Sequence, residues 1–310
     1  MPASSRKSGV KDLQRLRTEQ PNPAAHDLDR KSALEIVRLI SAEDATVAGA
    51  VRKTLPQIAR AVDMIADGIR NGGRLIYVGA GTSGRLGALD ASEIPPTFGV
   101  PSSTIQFIIA GGLKALSSET EASEDSEVLG RTEMARRKPS RNDVVVGIAA
   151  SGRTPFAIGA VQYARSHGAK TVALTCNRNS PLERAAHLAI VTEVGPEVLA
   201  GSSRMKAGTA HKMVLNMLST AAMARLGFVY GNLMVRVHPK NEKLVQRAIA
   251  ILEQATGADR EAARGALKAA GNRTPVALVM LASRVGRRRA VAALKEARGH
   301  VRKAIARAKA

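Results

Sequence analysis

The sequence predicts an α/β protein: a doubly wound, five-stranded parallel sheet followed by a small all-helical C-terminal domain. Five short runs rich in β-branched residues alternate with helical stretches, and this alternation is typical of a parallel sheet. From Asn241 onward the pattern is helical only, which predicts the second domain. A length of 310 residues suits one large domain with a smaller one.

The first predicted element is a helix over residues 43–70, in which apolar side chains recur every three or four positions. The five predicted strands cover residues 74–78, 104–110, 143–149, 170–176 and 188–194. A helix over 154–167 follows the third strand, and a long apolar helix follows the fifth strand at 204–226. Four short helices complete the chain, at residues 241–256, 259–270, 274–284 and 287–297.

These elements divide the chain into a mobile basic arm (1–25), the sheet domain (26–238) and the helical domain with a basic tail (239–310). The net charge of +21 is concentrated at the two ends, because residues 260–310 carry 14 Lys and Arg against two acids. The central motifs lie outside these basic regions, and only 2% of the residues are aromatic. We therefore interpret the charge as a solvated surface rather than as a nucleic-acid-binding site.

Composition also limits the class of protein. One cysteine excludes a disulfide within the chain, and the six histidines show no metal-binding spacing. The N-terminal residues have no apolar signal region, and no run of 18 apolar residues is present. We expect a cytoplasmic protein with no metal and no membrane association.

The first polar motif is Gly79–Gly84, which fits the GxGxxG pattern between a strand and a helix. A dinucleotide site also needs an acid at the end of the second strand, where Ala110 is followed by two glycines, so a nicotinamide cofactor is disfavoured. We interpret Thr82 and Ser83 as an anion cradle at a helix N-terminus. An ordinary capped turn is the alternative.

A similar turn, Ala150–Pro155, follows the third strand and supplies Ser151 and Thr154. Each turn also carries an arginine, Arg85 or Arg153. Two hydroxyl-rich turns at one edge of a parallel sheet indicate a site for a phosphate monoester with sugar hydroxyls nearby.

A third polar segment opens the long helix with Ser202, Ser203, Arg204 and Lys206. It is either another anion or carboxylate contact or a capped helix with surface cations. Cys176, at a strand end without a paired histidine in the sequence, is expected to be a buried small residue.

Two acidic segments are candidates for proton transfer. Glu93 lies just before Pro95 and Pro96, so we expect it at a helix end or in a loop. Glu121 and Glu124 belong to an acidic cluster after the second strand. Two carboxylates in different environments can divide the roles of acid and base.

Three long segments, at residues 72–99, 146–155 and 201–219, closely resemble the N-acetylmuramic acid 6-phosphate etherase family, which has the sugar isomerase (SIS) fold. The resemblance runs from about residue 18 to about residue 301. It implies cleavage of the D-lactyl ether of N-acetylmuramate 6-phosphate, by a homodimer without a metal or organic cofactor, during recycling of peptidoglycan sugars. The basic arm and tail depart from the family pattern.

The same resemblance implies Glu93 and Glu124 as the two catalytic glutamates. We assign Glu93 as the acid for the leaving lactate and Glu124 as the base at C2; the reverse assignment, and Glu121 in place of Glu124, stay open. The polar residues of the three motifs would bind the substrate. From charge complementarity, Arg204 or Lys206 would pair with the lactyl carboxylate.

Three other functions remain as alternatives. A non-catalytic SIS-fold sugar-phosphate sensor, similar to glucokinase regulatory protein, would control a partner protein. A sugar-phosphate isomerase would need a base but no acid for a leaving group. A nucleic-acid binder has only the net charge in its favour.

Overall fold

The computed structural model describes residues 16–118, 121–237, 239 and 241–309. The chain divides into two compact units: unit 1 lies within Met1–Ala91 and Ser103–Leu218, and unit 2 lies within Ser92–Ser102 and Ser219–Ala310. The boundary predicted between residues 238 and 239 stays a prediction. Residues 1–15 of the predicted arm lie outside the described residues.

Unit 1 contains a five-stranded parallel sheet with the strand order β2-β1-β3-β4-β5. Its strands are β1 (Leu75–Gly79), β2 (Ile105–Ile109), β3 (Val144–Ile148), β4 (Lys170–Thr175) and β5 (Leu188–Val191). Each strand lies within the run predicted for it, except that Gly79 extends the first by one residue. The predicted fold class is confirmed.

Both faces of this sheet are covered, as alternating side chains of β1 show. On one face, Ile76 and Val78 belong to the same core cluster as Phe156, at the start of a helix. On the other face, a Cβ atom placed on Gly87 would lie 3.0 Å from the Cβ atom of Tyr77. Helices therefore pack on both sides, which is the doubly wound arrangement.

The helices that belong wholly or partly to unit 1 are α1 (Ala33–Asp44), α2 (Val47–Arg52), α3 (Leu55–Arg70), α4 (Gly81–Phe98), α5 (Glu121–Glu124), α6 (Glu127–Arg136), α7 (Pro155–Ser166), α8 (Pro181–Ala185) and α9 (Lys206–Arg225). The prediction of a single helix over 43–70 was wrong, because this stretch contains the end of α1 and the whole of both α2 and α3. Pro56 has no N–H and occupies the first turn of α3, where none is needed.

The prolines after Glu93 do not end a helix as expected. Instead, α4 continues through Pro95 and Pro96 to Phe98. Each proline removes one main-chain donor, but the helix extends only two residues beyond the pair. Glu93 therefore lies within the helix, near its C-terminal end.

The described part of the predicted arm is attached to unit 1. Arg17–Glu19 and Pro23–Ala25 form short 3-10 turns, and Thr18 is buried. Asn177, which follows β4, accepts a hydrogen bond from the main-chain N–H of Arg17 at 3.1 Å and donates one to the Thr18 hydroxyl at 3.1 Å. At these positions the structure therefore has an attached segment, whereas a mobile one was expected.

Unit 2 contains the predicted C-terminal helices and a further helix at the end of the chain. Asn241 and Asp259 cap the first two of these helices with their side-chain oxygens. The helices are α10 (Glu242–Thr256), α11 (Arg260–Ala269), α12 (Thr274–Ser283), α13 (Arg287–Glu296) and α14 (Val301–Lys309). The last was not predicted, although its buried residues Val301, Ala304, Ile305 and Ala308 have helical spacing.

None of the helices in the described ranges is both long enough and apolar enough to cross a membrane.

Candidate functional site

The first polar motif forms the turn from β1 into α4, where Thr82 and Ser83 occupy the first helical turn, half-buried. The first main-chain N–H groups of a helix have no partner within the helix, so this turn offers donors to an anion. Gly84 permits the turn to lie directly on the sheet, because a Cβ atom there would come within 2.6 Å of the Ile109 side chain.

The second polar motif lies beside the first, because β1 and β3 are neighbours and Gly79 pairs with Ile148 at their carboxyl ends. In this loop the Ser151 hydroxyl accepts a hydrogen bond from the Arg153 main-chain N–H at 3.2 Å. Thr154 directly precedes α7 and is buried. The two hydroxyl-rich turns predicted from the sequence therefore share one edge of the sheet.

Glu124, at the end of the short helix α5, is joined to the second turn. The Thr154 hydroxyl donates a hydrogen bond to Glu124 Oε1 at 3.0 Å. The Glu124 side chain is half-buried. A hydroxyl has one proton to donate and two lone pairs, so Thr154 can hold Glu124 and still accept a hydrogen bond from a sugar hydroxyl.

Arg85 is hydrogen-bonded to the main chain of the segment that follows β2. Its Nε donates to the carbonyl of Ala115 at 2.9 Å, and its Nη2 donates to the carbonyl of Ser118 at 3.1 Å. The arginine predicted to accompany the first turn is thus bound to the main chain of the segment that leads to Glu124.

The third polar motif begins with turns, and the helix starts at Lys206, two residues later than predicted. Ser202 and Ser203 are half-buried, and Arg204 is exposed. A Cβ atom on Gly208 would lie 3.6 Å from Thr82 Cγ2. The first turn of α9 therefore lies next to the first turn of α4 in unit 1.

Lys206 does not share the exposure of Arg204. Its side chain is 4% exposed and forms an ion pair with Glu43 of α1. A buried lysine that already has a carboxylate partner is poorly suited to bind a second one. Of the two cations predicted to meet the lactyl carboxylate, Arg204 is the one with its head group at the surface.

Glu93 is exposed and lies in the segment of α4 that belongs to unit 2. It lines a cavity of about 820 Å³ in that unit, formed largely by the Pro95–Pro101 segment and by side chains near the start of α10. Arg247 is the other charged residue at this cavity. The carboxylate is therefore accessible to a small molecule.

Comparison with known proteins identifies the family. Over 301 residues the chain is 50% identical to the N-acetylmuramic acid 6-phosphate etherase of Actinobacillus pleuropneumoniae serotype 5b, covering 97% of this chain and 99% of that one. It is 56% identical over 271 residues to the etherase of Symbiobacterium thermophilum, covering 87% and 90% of the two chains. The chain belongs to the N-acetylmuramic acid 6-phosphate etherase family.

Two family models also match this etherase-family chain: the glucokinase regulatory protein N-terminal SIS domain over residues 57–165, and the SIS domain over residues 131–221. A phosphoheptose isomerase from Francisella tularensis aligns with a TM-score of 0.51 at 17% identity, over 63% of this chain and all of that one. This similarity shows the fold alone. The family resemblance stated from the sequence is confirmed.

Two acids next to the third motif were missed from the sequence. Glu197 is buried and accepts hydrogen bonds from the N–H groups of Lys206 and Ala207, both at 2.9 Å. Burial raises the pKa of its carboxyl, although the two hydrogen bonds oppose this effect. Glu43 is the other. Neither has a local sequence signal, because Glu197 lies outside the helix it caps and Glu43 is 163 positions from Lys206.

Cys176 is buried as expected, but it does have a histidine neighbour. His211 of α9 places Nε2 3.6 Å from the Cys176 sulfur, and Thr192 Oγ1 lies 3.4 Å from the same sulfur. Burial raises the pKa of the thiol to about 12 and lowers that of His211 to about 4. Both groups are therefore neutral at pH 7, so this pair is not an activated nucleophile.

Within the described ranges, no group of three His, Cys, Asp or Glu side chains is arranged to hold a metal ion.

Proposed function

We propose that this chain is a carbon–oxygen lyase that converts N-acetylmuramate 6-phosphate and water into N-acetylglucosamine 6-phosphate and D-lactate. Its membership of the etherase family, over nearly its whole length, is the observation that carries this function. The proposal includes a cytoplasmic homodimer that takes part in recycling peptidoglycan sugars.

The chemistry is elimination followed by addition. In the open-chain sugar, C2 lies next to the aldehyde, and the lactyl ether oxygen is attached to C3. A base removes the C2 proton, the C3–O bond breaks, and its electron pair leaves with the lactate oxygen, which an acid protonates. Water then adds to C3 of the unsaturated aldehyde, and C2 regains a proton.

For the base we propose Glu124. Its hydrogen bond from Thr154, in the second hydroxyl-rich turn, supports this role. Thr82, Ser83 and Ser151, together with Thr154, would bind the phosphate and the sugar hydroxyls. Each positioned proton transfer contributes roughly 10²–10⁴-fold to the rate.

For the acid we propose Glu93, which is exposed at a cavity. Ser202 and Ser203 would contact the substrate, and Arg204 would pair with the lactyl carboxylate. Lys206, the other cation named for that contact, would act indirectly, because its ion pair with Glu43 holds the start of α9.

The decisive experiment is incubation with N-acetylmuramate 6-phosphate followed by an assay for free D-lactate. In D₂O the product should carry deuterium at C2, and in H₂¹⁸O the label should enter the sugar rather than the lactate. Binding without lactate release would favour a sensor, and conversion to a ketose would favour an isomerase.

The two glutamates are tested with Glu93→Gln, Glu124→Gln and the control Glu133→Gln, whose carboxylate pairs with Arg136 on the exposed side of α6. Glu124→Gln should stop exchange of the C2 proton, and Glu93→Gln should stop lactate release while binding changes less than about tenfold. Normal turnover in either variant would remove that residue from the mechanism; continued exchange in Glu124→Gln would point to Glu121.

A further inference from the structure

A second cavity in unit 2 is lined by an unusual concentration of positive charge. Its volume is about 480 Å³, and four of its lining residues are cationic: Arg236, Arg273, Lys295 and Arg298. No aspartate or glutamate is among the lining residues that the structure describes. Such an arrangement favours a ligand with more than one negative charge.

Arg236 is the most constrained of these four cations. Its guanidinium lies 3.9 Å from the centre of the Phe228 ring. A Cβ atom on Gly299 would come within 2.4 Å of Arg236 Nη2 and 3.5 Å of Phe228 Cε1, so the absence of a side chain at Gly299 leaves space for the stacked pair. The Arg236 guanidinium is thus held in one position, so its side chain loses little conformational entropy when a ligand binds.

The position of Arg236 leaves its polar atoms incompletely satisfied. Its Nε is buried without a hydrogen-bond partner in the described part of the chain. Burial and the nearby charge of Arg273 both lower the pKa of this arginine. Burying a donor and bringing like charges together are both unfavourable, and an anion in the cavity would relieve both.

We propose that this cavity, whose lining residues all belong to unit 2, binds a small phosphorylated anion. Arginine forks match phosphate oxygens in geometry and form paired, charge-assisted hydrogen bonds with them. The buried hydroxyl of Thr274 also lines the cavity. The site needs no contribution from the sheet.

A nucleic acid fits this surface less well. Proteins that bind single strands use exposed aromatic faces to stack the bases. Here the Phe228 ring is covered by Arg236, and the Tyr230 ring lies under Arg302 at 4.8 Å. Positive charge inside a concave cavity favours a compact ligand instead.

The test uses isothermal titration calorimetry with inorganic pyrophosphate at constant ionic strength. The full chain carries Ser83→Ala and Ser151→Ala in every sample, so that the turns of unit 1 contribute as little as possible. Against this background, the double variant Arg273→Gln/Lys295→Gln removes two charges from the cavity. The control Arg288→Gln/Lys303→Gln removes two exposed charges that do not line it.

We expect one pyrophosphate site per chain, with Kd raised at least tenfold by the cavity variant and less than twofold by the control. No binding, or equal weakening by both pairs, would overturn the proposal. So would a short RNA that displaces pyrophosphate and binds at least tenfold more tightly. If the cavity variant fails to fold, Arg298→Asn replaces it, because asparagine tolerates the left-handed backbone of Arg298 (φ 50°); a rise in Kd below threefold would then overturn the proposal.

Discussion

Units 1 and 2 differ in whether their charged side chains have partners of opposite charge. In unit 1, two buried charges have ion-pair partners: Asp143 with Arg74, and Lys206 with Glu43. Unit 2 instead leaves four cations around one cavity with no acid among the lining residues that the structure describes. An internal pair holds a fold together, whereas unpaired cations at a cavity are available to a ligand.

The same contrast separates structural from functional polar groups within unit 1. Asp143 is almost fully buried and accepts hydrogen bonds from Arg74 and from the main chain of Ser140. The hydroxyls of Thr82 and Ser83 are half-exposed at the carboxyl edge of the sheet. The Asp143 charge, which the fold needs, is enclosed, whereas Thr82 and Ser83, which are proposed to bind the substrate, are partly exposed.

The largest expected effect comes from breaking an internal pair. Asp143→Ala would leave the charge of Arg74 without its carboxylate, and we expect the free energy of unfolding to fall by about 3–5 kcal/mol in urea titrations. The control is Asp67→Ala, which removes an exposed pair with Arg70 and should cost about 0–1 kcal/mol. Equal losses would mean that burial does not distinguish the two pairs.

The ion pair of Asp143 also predicts that the protein loses stability at low pH. Burial would raise the pKa of its carboxyl, but the hydrogen bonds from Arg74 and Ser140 outweigh burial and hold the pKa below its usual value. The stabilisation is therefore present above about pH 4 and is lost as the pH falls further. Asp143→Asn should abolish this loss.

A somewhat smaller effect is expected from the buried His211. Its folded pKa is about 4, below the ordinary 6.5, because burial disfavours the charged ring. Between these values only the unfolded chain binds the proton, so the free energy of unfolding should decrease by about 3 kcal/mol from pH 6.5 to pH 4. His211→Gln should flatten this part of the profile in urea titrations, whereas replacing the exposed His26 by Gln should not.

A feature of the structure was predictable from the sequence when the pattern that indicates it lies within one short segment. The strands were found to within a few residues because β-branched runs and the turns after them are local patterns. The same holds for the edge of the sheet that carries Thr82 and Ser151. Pro95 and Pro96 misled the prediction because an end of a helix can contain proline when packing supports it.

Contacts between distant segments had no such signal. Lys206 looked like a surface cation because its partner Glu43 lies on a separate helix. Glu124 lay in an acidic cluster that could be dismissed as solvated, until the hydrogen bond from Thr154 set it apart. The cationic cavity depends on Gly299 leaving space for Arg236, which no pattern of charges along the chain reveals.

A substitution at Thr154 tests whether this residue belongs to the structural or the functional polar groups. Thr154→Val removes the hydroxyl that holds Glu124, and a hydrogen bond to a charged group contributes about 1.5–3 kcal/mol. We expect kcat for lactate release to fall roughly tenfold or more, with KM changed less than threefold. Thr154→Ser should restore kcat.

The matched control is Thr132→Val, because Thr132 is exposed and its hydroxyl donates to the main-chain carbonyl of Val128 within α6. It should leave both kinetic constants unchanged. If Thr154→Val instead raised KM at constant kcat, the hydroxyl would serve only to bind the substrate, and Glu124 would be held by other contacts.

The smallest expected effect concerns the positive charge of unit 2. Residues 260–310 carry 14 Lys and Arg against two acids, so their mutual repulsion should destabilise these helices at low ionic strength. Raising the salt from 0.01 M to 0.1 M shortens the screening length from about 30 Å to about 10 Å. Native-state hydrogen exchange should show amides of α13 and α14 gaining up to about 1 kcal/mol in opening free energy, and amides of β1 and β3 gaining clearly less. The double variant Arg288→Gln/Lys303→Gln should reduce this gain in opening free energy, since it removes two of the exposed charges.

An equal gain in both units would show that the excess charge at the C-terminal end has no measurable energetic cost specific to unit 2. The contrast between the units would then rest on the cavity alone.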